Sequence, residues 1–320
     1  MAAGGSTRVI VIALLGNLAI AICKFTAAAI TGAAAMFAEA IHSLVDTGNQ
    51  ALLLYGVKRA ERPADARHPF GYGMEIYFWS FVVAILLFSI GAGVSIFHGI
   101  EKIQHPHPVE DPYVNYIVLV LALGFEGYAW RAAYREMNRL RREGESILHY
   151  VRRSKDAALF TVLFEDTGAL LGLMVALIGL LLAQALDWPA LDGWASVGIG
   201  VLLAIAAVTL AIETKALLIG EAADPELVSG VAAIAASDKR ILAVNEVLTM
   251  HLGPHDVLAT ISLDFVDDRS SQDVEASITE LERAIKDKFP EVRRVFIEAQ
   301  SWRAHLEDKF SGMTDEGAGT

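Results

Sequence analysis

The sequence predicts an all-α polytopic membrane domain with six transmembrane helices, followed by a C-terminal cytoplasmic α+β domain. The first reason is composition, because 54% of the 320 residues are hydrophobic and the mean hydropathy is +0.44, too apolar for a soluble domain. The second reason is that the long apolar runs stop near Gly220, beyond which charged residues return. We therefore expect a membrane domain over residues 1–219 and a cytoplasmic domain over residues 220–304.

Six apolar runs approach or exceed the length that a membrane crossing requires, which is about 20 helical residues for a bilayer core about 30 Å thick. The first run is too long for the apolar part of a signal peptide, and the second follows almost at once. We therefore expect the first run to be retained as a helix. The runs lie at about 9–31, 34–57, 76–100, 114–130, 159–186 and 197–218.

Basic residues predict the orientation, because cytoplasmic connections are enriched in Lys and Arg. The connections after the first and fifth runs carry neither, and the connection after the third run carries Lys102 alone. The even-numbered connections and both termini are therefore expected in the cytoplasm, and the expected location is the bacterial inner membrane. The residues that carry this prediction are Lys58, Arg59, Arg62, Arg67, Arg131, Arg135, Arg139, Arg141, Arg142, Arg152, Arg153 and Lys155.

Charge and cysteine content exclude several classes of protein. The net charge of −12 argues against nucleic acid as a partner, because phosphate binding needs a basic face. Cys23 is the single cysteine, which excludes an internal disulfide and a cysteine-rich metal site. A membrane metallohydrolase would commonly carry His-Glu-x-x-His, and the sequence has no such motif. We expect neither enzymatic activity nor a resident cofactor.

The C-terminal region predicts a small layered domain with the element order αββαβ, which is ferredoxin-like, with its helices on one side of a sheet. Pro225 marks the first turn of the first helix, and Ser270 with Asp273 forms a capping box that opens the second. A Gly-Pro-His-Asp turn at 253–256 separates the first two strands. Residues 305–320 are expected to form a disordered tail. The predicted elements are helix 224–236, strands 241–252 and 257–266, a helix from 270, and strand 292–299.

Ionisable residues lie inside two of the apolar runs, where each costs roughly 2.5–3.5 kcal/mol on insertion scales. His42 and Asp46 are four residues apart, so a helix places both on one face. Glu165 and Asp166 are adjacent, so their side chains diverge by about 100° and one of them can face the second span directly. We rank Asp166 above Glu165 as a direct ligand. A histidine with carboxylates is a ligand set for a divalent transition metal.

A structural explanation is also open for these residues. A buried histidine can be a satisfied structural residue, and Asp46 could bond Asn49 or Gln50. Their joint occurrence on two spans favours a functional site, because buried carboxylates need a cation, either a metal or protons. One imidazole with several carboxylates suits Zn²⁺ and leaves Fe²⁺, Mn²⁺, Co²⁺ and Ni²⁺ open.

These segments resemble the cation diffusion facilitator family of metal–proton antiporters. The resemblance is carried by AEAIHSLVD at 38–46 and by EDTGALLG at 165–172, with Asn17, Lys24 and HPFGYG at 68–73. It covers nearly the whole chain. It implies proton-coupled efflux of divalent metal ions from the cytoplasm by alternating access, in a homodimer.

The resemblance also implies a tetrahedral metal site with two ligands from the second span and two from the fifth. The usual fifth-span pattern has a His or Asp four residues before an Asp. Matching Asp166 to that Asp places Val162 in the earlier position, and valine cannot bind a metal. The chain resembles the branch with a Glu-Asp pair, related to mitochondrial zinc transporters, so the fourth ligand is Glu165 or water. The implied metal ligands are His42, Asp46, Asp166 and Glu165.

Two further sites are open by resemblance. Asp65 and His68 would belong to a second cytoplasmic metal site, but Tyr72 stands where a second His is usual. The other interpretation is that Gly71 and Gly73 make a turn. A metal site in the C-terminal domain would use His251, His255, Asp256 and Glu298.

Glu126, near the inner end of the fourth span, could relay protons, but its neighbours Tyr128 and Trp130 favour a position at the membrane interface. Two alternative functions remain open from the residues alone. One is a membrane-bound metal sensor or scaffold that works through the cytoplasmic domain, and the other is a transporter of an organic cation.

Overall fold

The computed structural model describes residues 3–141, 144–145 and 157–307. The predicted basic residues Arg142, Arg152, Arg153 and Lys155 lie outside these ranges, as does the chain from residue 308 to 320. The chain divides into two compact units. The first contains the residues up to Arg62 together with Glu75–Ala216, and the second contains Pro63–Met74 and the chain from Leu217.

The first unit consists of long helices, six in the described part of the chain when α3, a π-helical turn and α4 are taken as one continuous helix. This number agrees with the prediction from the apolar runs. The helices are α1 (Ala3–Thr31), α2 (Ala34–Ala60), α3 (Glu75–Leu86), the π-helical turn (Leu87–Ala92), α4 (Gly93–Gln104), α5 (Pro112–Leu140), α6 (Ala157–Ala185) and α7 (Ala190–Leu218).

Four described segments are long and apolar enough to cross a membrane by length and composition alone. The described apolar part of α1 is shorter and covers Asn17–Thr31. The helix α2 is long, but Glu39, Asp46 and its other polar residues make it less apolar. The four segments are Glu75–Gln104, Pro112–Arg139, Leu163–Ala185 and Ala190–Leu218.

The helix α2 lies at the centre of the first unit, where it packs against α1, α3, α4 and α6. Small residues allow close approach in this unit. A Cβ atom at Gly172 of α6 would overlap Oε1 of Glu39 in α2, so the missing side chain leaves room for this buried carboxylate between the two helices. Between α7 and α4, Ser196 Oγ donates to the carbonyl oxygen of Ser95 at 2.8 Å.

The second unit has the predicted αββαβ order, so this part of the predicted fold is confirmed. Its three strands lie in the order β1-β2-β3, with β1 antiparallel to β2 and β2 parallel to β3. The capping box of Ser270 and Asp273 is present at the start of the second helix. The elements are α8 (Pro225–Ala236), β1 (Ile241–Gly253), β2 (Asp256–Phe265), α9 (Ser271–Lys288) and β3 (Val292–Ala299).

Both helices cover the same face of this sheet. The core joins Val231 of α8 and Ile285 of α9 to Val257, Ile261 and other strand residues. The opposite face leaves Leu248 and Phe296 largely exposed. Residues 302–307 form a short helix after the sheet, so the tail predicted from residue 305 begins inside a described helix.

The connection Pro63–Met74 belongs to the second unit rather than to the helices on either side of it. A Cβ atom at Gly73 would overlap the carbonyl oxygen of Leu252, so the backbones approach too closely for any other residue. Arg294 of β3 donates from Nη2 to the carbonyl oxygen of Phe70 at 3.0 Å. Gly71 has a φ of +87°, as expected for a turn residue.

Candidate metal centre

One face of α2 carries three polar residues at positions 42, 46 and 49, a spacing of one helical turn at each step. His42 and Asn49 are 1% and 0% exposed, and the side chain of Asp46 is 13% exposed. The Nε2 atom of His42 lies 3.4 Å from Oδ2 of Asp46, so the two side chains share a face as their spacing predicts.

Glu165 of α6 lies opposite this face. Its side chain is 4% exposed, and its Oε1 accepts a hydrogen bond from Nδ2 of Asn49 at 2.7 Å. Asp166 is only half-buried. The sequence ranks Asp166 above Glu165 as a direct ligand, and that ranking stays a prediction. In the structure Glu165 contacts α2, because α6 turns this carboxylate toward Asn49. The side chain of Val162 lies outside the described side chains.

The carboxylates around this face repel one another. Asp46 interacts unfavourably with Glu165, Asp166 and Glu126, and favourably with Lys24. Lys24 is already engaged, because its Nζ lies 3.0 Å from Oε2 of Glu39. The same ammonium donates to Oγ of Ser43 at 2.8 Å. Its single positive charge therefore offsets only part of the negative charge that these groups can carry.

Several polar atoms on the α2 face have no hydrogen-bond partner within the described residues. They are Nδ1 and Nε2 of His42, Oδ1 of Asp46 and Oδ1 of Asn49. Most buried polar atoms in proteins have a partner, so four such atoms on one face indicate a shared ligand rather than ordinary packing. Because carboxylate and amide oxygens only accept hydrogen bonds, a proton donor or a cation satisfies them.

The predicted ligands do not yet surround one point. Among the described residues, no group of three or more His, Cys, Asp or Glu side chains is arranged to hold a metal ion together. His42 forms a close pair with Asp46, and Glu165 forms a second pair with Asn49. The structure thus brings the groups of α2 and α6 to facing positions, and the four-ligand set of His42, Asp46, Glu165 and Asp166 stays a prediction.

Sequence reasoning missed two features of this region. Glu126 is 7% exposed, because α5 turns this carboxylate into the helix bundle, a burial that its aromatic neighbours do not indicate. Its depth at the membrane interface stays a prediction. The sequence suggests Asn49 as a partner for Asp46, whereas in the structure it bonds Glu165. The spacing of Asn49 from His42 was the available signal, since seven residues return a helix to nearly the same face.

Asp65 and His68, the predicted second cytoplasmic pair, are used in the local turn. Asp65 Oδ1 accepts from the backbone N–H groups of Arg67 and His68, and Oδ2 accepts from the Tyr72 hydroxyl at 2.6 Å. The hydrogen bond from Tyr72 is the main reason that the pKa of Asp65 is lowered to about 2. His68 lies against the Tyr72 ring, with ring centroids 4.2 Å apart.

The predicted residues of the C-terminal domain are not brought together. Asp256 accepts two hydrogen bonds from Nη1 of Arg294, at 2.8 and 2.7 Å, and His255 is exposed. His251 pairs with Val257 of β2, whereas Glu298 pairs with Ser262. These positions of β2 are five residues apart, or roughly 16 Å along a strand, so His251 and Glu298 cannot share one ion.

Comparison with known proteins assigns this chain to a family. Residues 10–219 match the cation efflux transmembrane domain. The human protein named proton-coupled zinc antiporter SLC30A9, mitochondrial, is 33% identical over 262 residues, which cover 82% of this chain and 46% of that protein. The Xenopus laevis protein of the same name is 35% identical over 263 residues, covering 82% and 47%.

A plant protein is similar over the same extent. Metal tolerance protein C4 of Arabidopsis thaliana is 28% identical over 261 residues, which cover 81% of this chain and 57% of that protein. The chain spans about half the length of the curated relatives it matches. The domain match includes α2 and α6, the two helices of the candidate metal centre. The chain therefore belongs to the cation diffusion facilitator family.

Proposed function

We propose that this protein moves divalent transition-metal ions, Zn²⁺ before Fe²⁺, Mn²⁺, Co²⁺ or Ni²⁺, out of the cytoplasm in exchange for protons. One observation carries the proposal. His42 and Asp46 of α2 face Glu165 of α6 inside an apolar unit, and buried nitrogen and oxygen atoms on this face have no hydrogen-bond partner among the described residues.

The cost of burying ionised carboxylates in this unit favours a bound cation on the α2 face. An ionised group at membrane depth costs roughly 2.5–3.5 kcal/mol, and repulsion among Asp46, Glu165 and Asp166 adds to that cost. A divalent ion or a set of protons would offset it. Imidazole and carboxylate ligands bind a metal only when deprotonated, so metal and protons compete for the same atoms.

This competition gives a transport cycle without a separate proton channel. A cytoplasmic ion displaces protons from His42 and the carboxylates. A shift of the helices then exposes the same groups to the opposite side, where protons return and the ion leaves. A proton gradient directed inward thereby drives efflux. The names of the relatives support this cycle, since the human protein is called a proton-coupled zinc antiporter and the plant protein a metal tolerance protein.

The protein has membrane-spanning helices, and we propose that both termini lie in the cytoplasm of a bacterium, with the inner membrane as the host. The vertebrate relatives are named as mitochondrial. Labelling of single cysteines, introduced in a Cys23→Ala background, tests the orientation. His105→Cys should react with an impermeant reagent from outside the cell and Arg141→Cys only after lysis. Labelling of both from the same side would contradict it.

We also propose a homodimer that forms through the uncovered face of the sheet in the second unit. Leu248 of β1, Thr260 of β2 and Phe296 of β3 are register partners, so they form a row across the three strands. Leu248 and Phe296 are 58% and 56% exposed, which is unusual for apolar side chains on one sheet face. Phe296→Asp should convert a dimer on size-exclusion chromatography to a monomer, whereas an unchanged elution volume would exclude this face.

Transport in proteoliposomes under an imposed pH gradient tests the main proposal. We expect zinc flux by the unmodified protein and loss of flux in the His42→Ala and Asp46→Ala variants. Flux at the unmodified rate in both variants would overturn it. The sensor alternative predicts the reverse dependence, on the second unit, but no observation favours it, because Asp65 and Asp256 are held by Tyr72 and Arg294.

A further inference from the structure

We infer that Asn49 is a further ligand of the transported ion and supplies a neutral amide oxygen beside His42 and Asp46. This inference rests on the proposed function and deepens it. It concerns a residue type outside the imidazole and carboxylate set that the sequence predicts.

Asn49 lies on the face of α2 that carries His42 and Asp46. Asn49 lies three residues after Asp46 and seven after His42, so it continues the same face of α2. It is wholly buried, in a unit whose core consists mainly of apolar side chains. An uncharged amide is therefore present at membrane depth, next to the two side chains that have unpartnered polar atoms.

A hydrogen bond to Glu165 orients the amide of Asn49. Nδ2 of Asn49 donates to Oε1 of Glu165 at 2.7 Å. In the arrangement that the structure shows, the NH₂ group faces Glu165 and the amide oxygen faces elsewhere. An ionised Glu165 holds the amide this way round, because an ionised carboxylate only accepts hydrogen bonds. That oxygen, Oδ1, is buried and has no hydrogen-bond partner in the described part of the chain.

Asn115 provides a comparison in the same unit. It is also wholly buried, but its Oδ1 accepts a hydrogen bond from Oγ1 of Thr31 at 3.0 Å. The amide oxygen of Asn115 thus has a fixed protein partner, as is usual for a buried acceptor. The amide oxygen of Asn49 has no such partner in the described part of the chain, whereas in Asn115 it is the Nδ2 atom that has none.

The chemistry fits the transported ions. With Val162 unable to bind a metal, an oxygen from Asn49 would complete a set with His42, Asp46 and Glu165. The amide would act twice, because its oxygen binds the ion while its NH₂ group holds Glu165 toward α2. A set with one nitrogen and three oxygens is harder than a histidine-rich one and extends the accepted ions from Zn²⁺ toward Mn²⁺ and Fe²⁺.

The test measures Zn²⁺ binding by calorimetry, and the visible spectrum of bound Co²⁺, on the purified full chain. Asn49→Ala should weaken Zn²⁺ binding by about 10- to 100-fold, the range seen when groups around a metal are removed, and should change the Co²⁺ absorption. The matched control Asn115→Ala should leave both unchanged. An Asn49→Ala variant that behaves like the control overturns the inference.

A second comparison separates a ligand from a residue that only positions Glu165. In a Glu165→Ala background, Asn49→Ala should still weaken Zn²⁺ binding further. If it has no further effect, Asn49 acts through Glu165 alone and the inference is wrong. Asn49→Asp keeps an oxygen at this position, so it should bind Zn²⁺ more tightly than Asn49→Ala; equal binding by the two variants also overturns the inference.

The same measurements distinguish this inference from the proposed function. If His42→Ala and Asp46→Ala abolish Zn²⁺ binding while Asn49→Ala matches its control, only the role of Asn49 fails. If none of these variants affects Zn²⁺ binding or flux, the proposed function fails as a whole. Where Asn49→Ala does not elute as folded protein, the Asn49→Asp variant and the unmodified protein provide the comparison of the Co²⁺ spectrum.

Discussion

In the second unit, Asp65 and Asp256 each have a fixed protein partner, the Tyr72 hydroxyl and the Arg294 guanidinium. In the first unit, His42 and Asp46 retain polar atoms without hydrogen-bond partners among the described residues. All four belong to residue types that bind metals. What separates the two regions is whether the protein itself satisfies the side chains.

The difference shows how to assign roles to ligand-type residues. An acceptor that a guanidinium or a hydroxyl already donates to has little to gain from a metal ion, because binding would first break that contact. A buried acceptor without a partner gains the whole interaction. The intramembrane face of α2 therefore carries the functional argument, whereas the residues of the second unit are explained by its own stability.

The largest contrast is expected between Asp46→Ala and Asp256→Ala. Loss of Asp46 removes a ligand and should reduce zinc flux in proteoliposomes by about 100-fold or more. Loss of Asp256 removes a partly exposed ion pair with Arg294, worth up to about 1 kcal/mol, and should leave flux within about twofold. Equal losses of flux in the two variants would erase the distinction between the regions.

Zn²⁺ binding should depend on pH through the groups of the first unit and not through Asp65 of the second. Protons compete for His42 and the carboxylates, so the affinity should fall as the pH falls, by about tenfold per unit for each proton displaced. The low pKa of Asp65, about 2, keeps that carboxylate ionised throughout the same range. Calorimetry between about pH 6 and about pH 8 measures the slope. Affinity that is independent of pH would contradict proton exchange.

The two adjacent acids of α6 give a narrower comparison. Glu165→Gln should weaken Zn²⁺ binding about 10-fold or more, because Glu165 faces α2, and Asp166→Asn should weaken it less, because Asp166 is half-buried. Binding constants for both variants decide the order. A greater loss in Asp166→Asn would restore the ranking that the sequence suggests.

The smallest effect is expected from Tyr72→Phe in the second unit. Without the phenol, the pKa of Asp65 should rise from about 2 toward its ordinary value of 3.8. The pKa of Asp65 is lower in the folded state than in the unfolded state. The ionised carboxylate therefore stabilises the folded protein above pH 3.8, and this stabilisation is lost as the pH falls toward 2. Thermal unfolding should therefore show a lower Tm for the variant near pH 7 and no difference near about pH 2. A difference at both pH values would point to packing instead.

Local signals explain why the second unit was predictable. The capping box at Ser270 and the strand Val292–Ala299 appear where the sequence places them, because capping and strand patterns act over a few neighbouring residues. The family assignment was predictable for a similar reason, since its motifs are short segments of α2 and α6.

Contacts over long sequence separations were not predictable. Asn49 and Glu165 are 116 residues apart, so their hydrogen bond depends on how α2 and α6 pack. The burial of Glu126 depends on the rotation of α5, which its aromatic neighbours do not fix. The association of Pro63–Met74 with the second unit rests on the close approach at Gly73, a tertiary contact without a periodic signal.

The wide turn at Leu87–Ala92 changes the phase of the long helix that contains it. Tyr77 and Ala84 are buried seven residues apart, and so are Ala92 and Gly99, but Ala84 and Ala92 are separated by eight. A π-helical turn takes up one additional residue, so the two halves present the same side to their neighbours. In an ordinary helix an added residue rotates everything after it by about 100°. A chain shorter by one residue here would wind as a regular α-helix and keep both halves in phase.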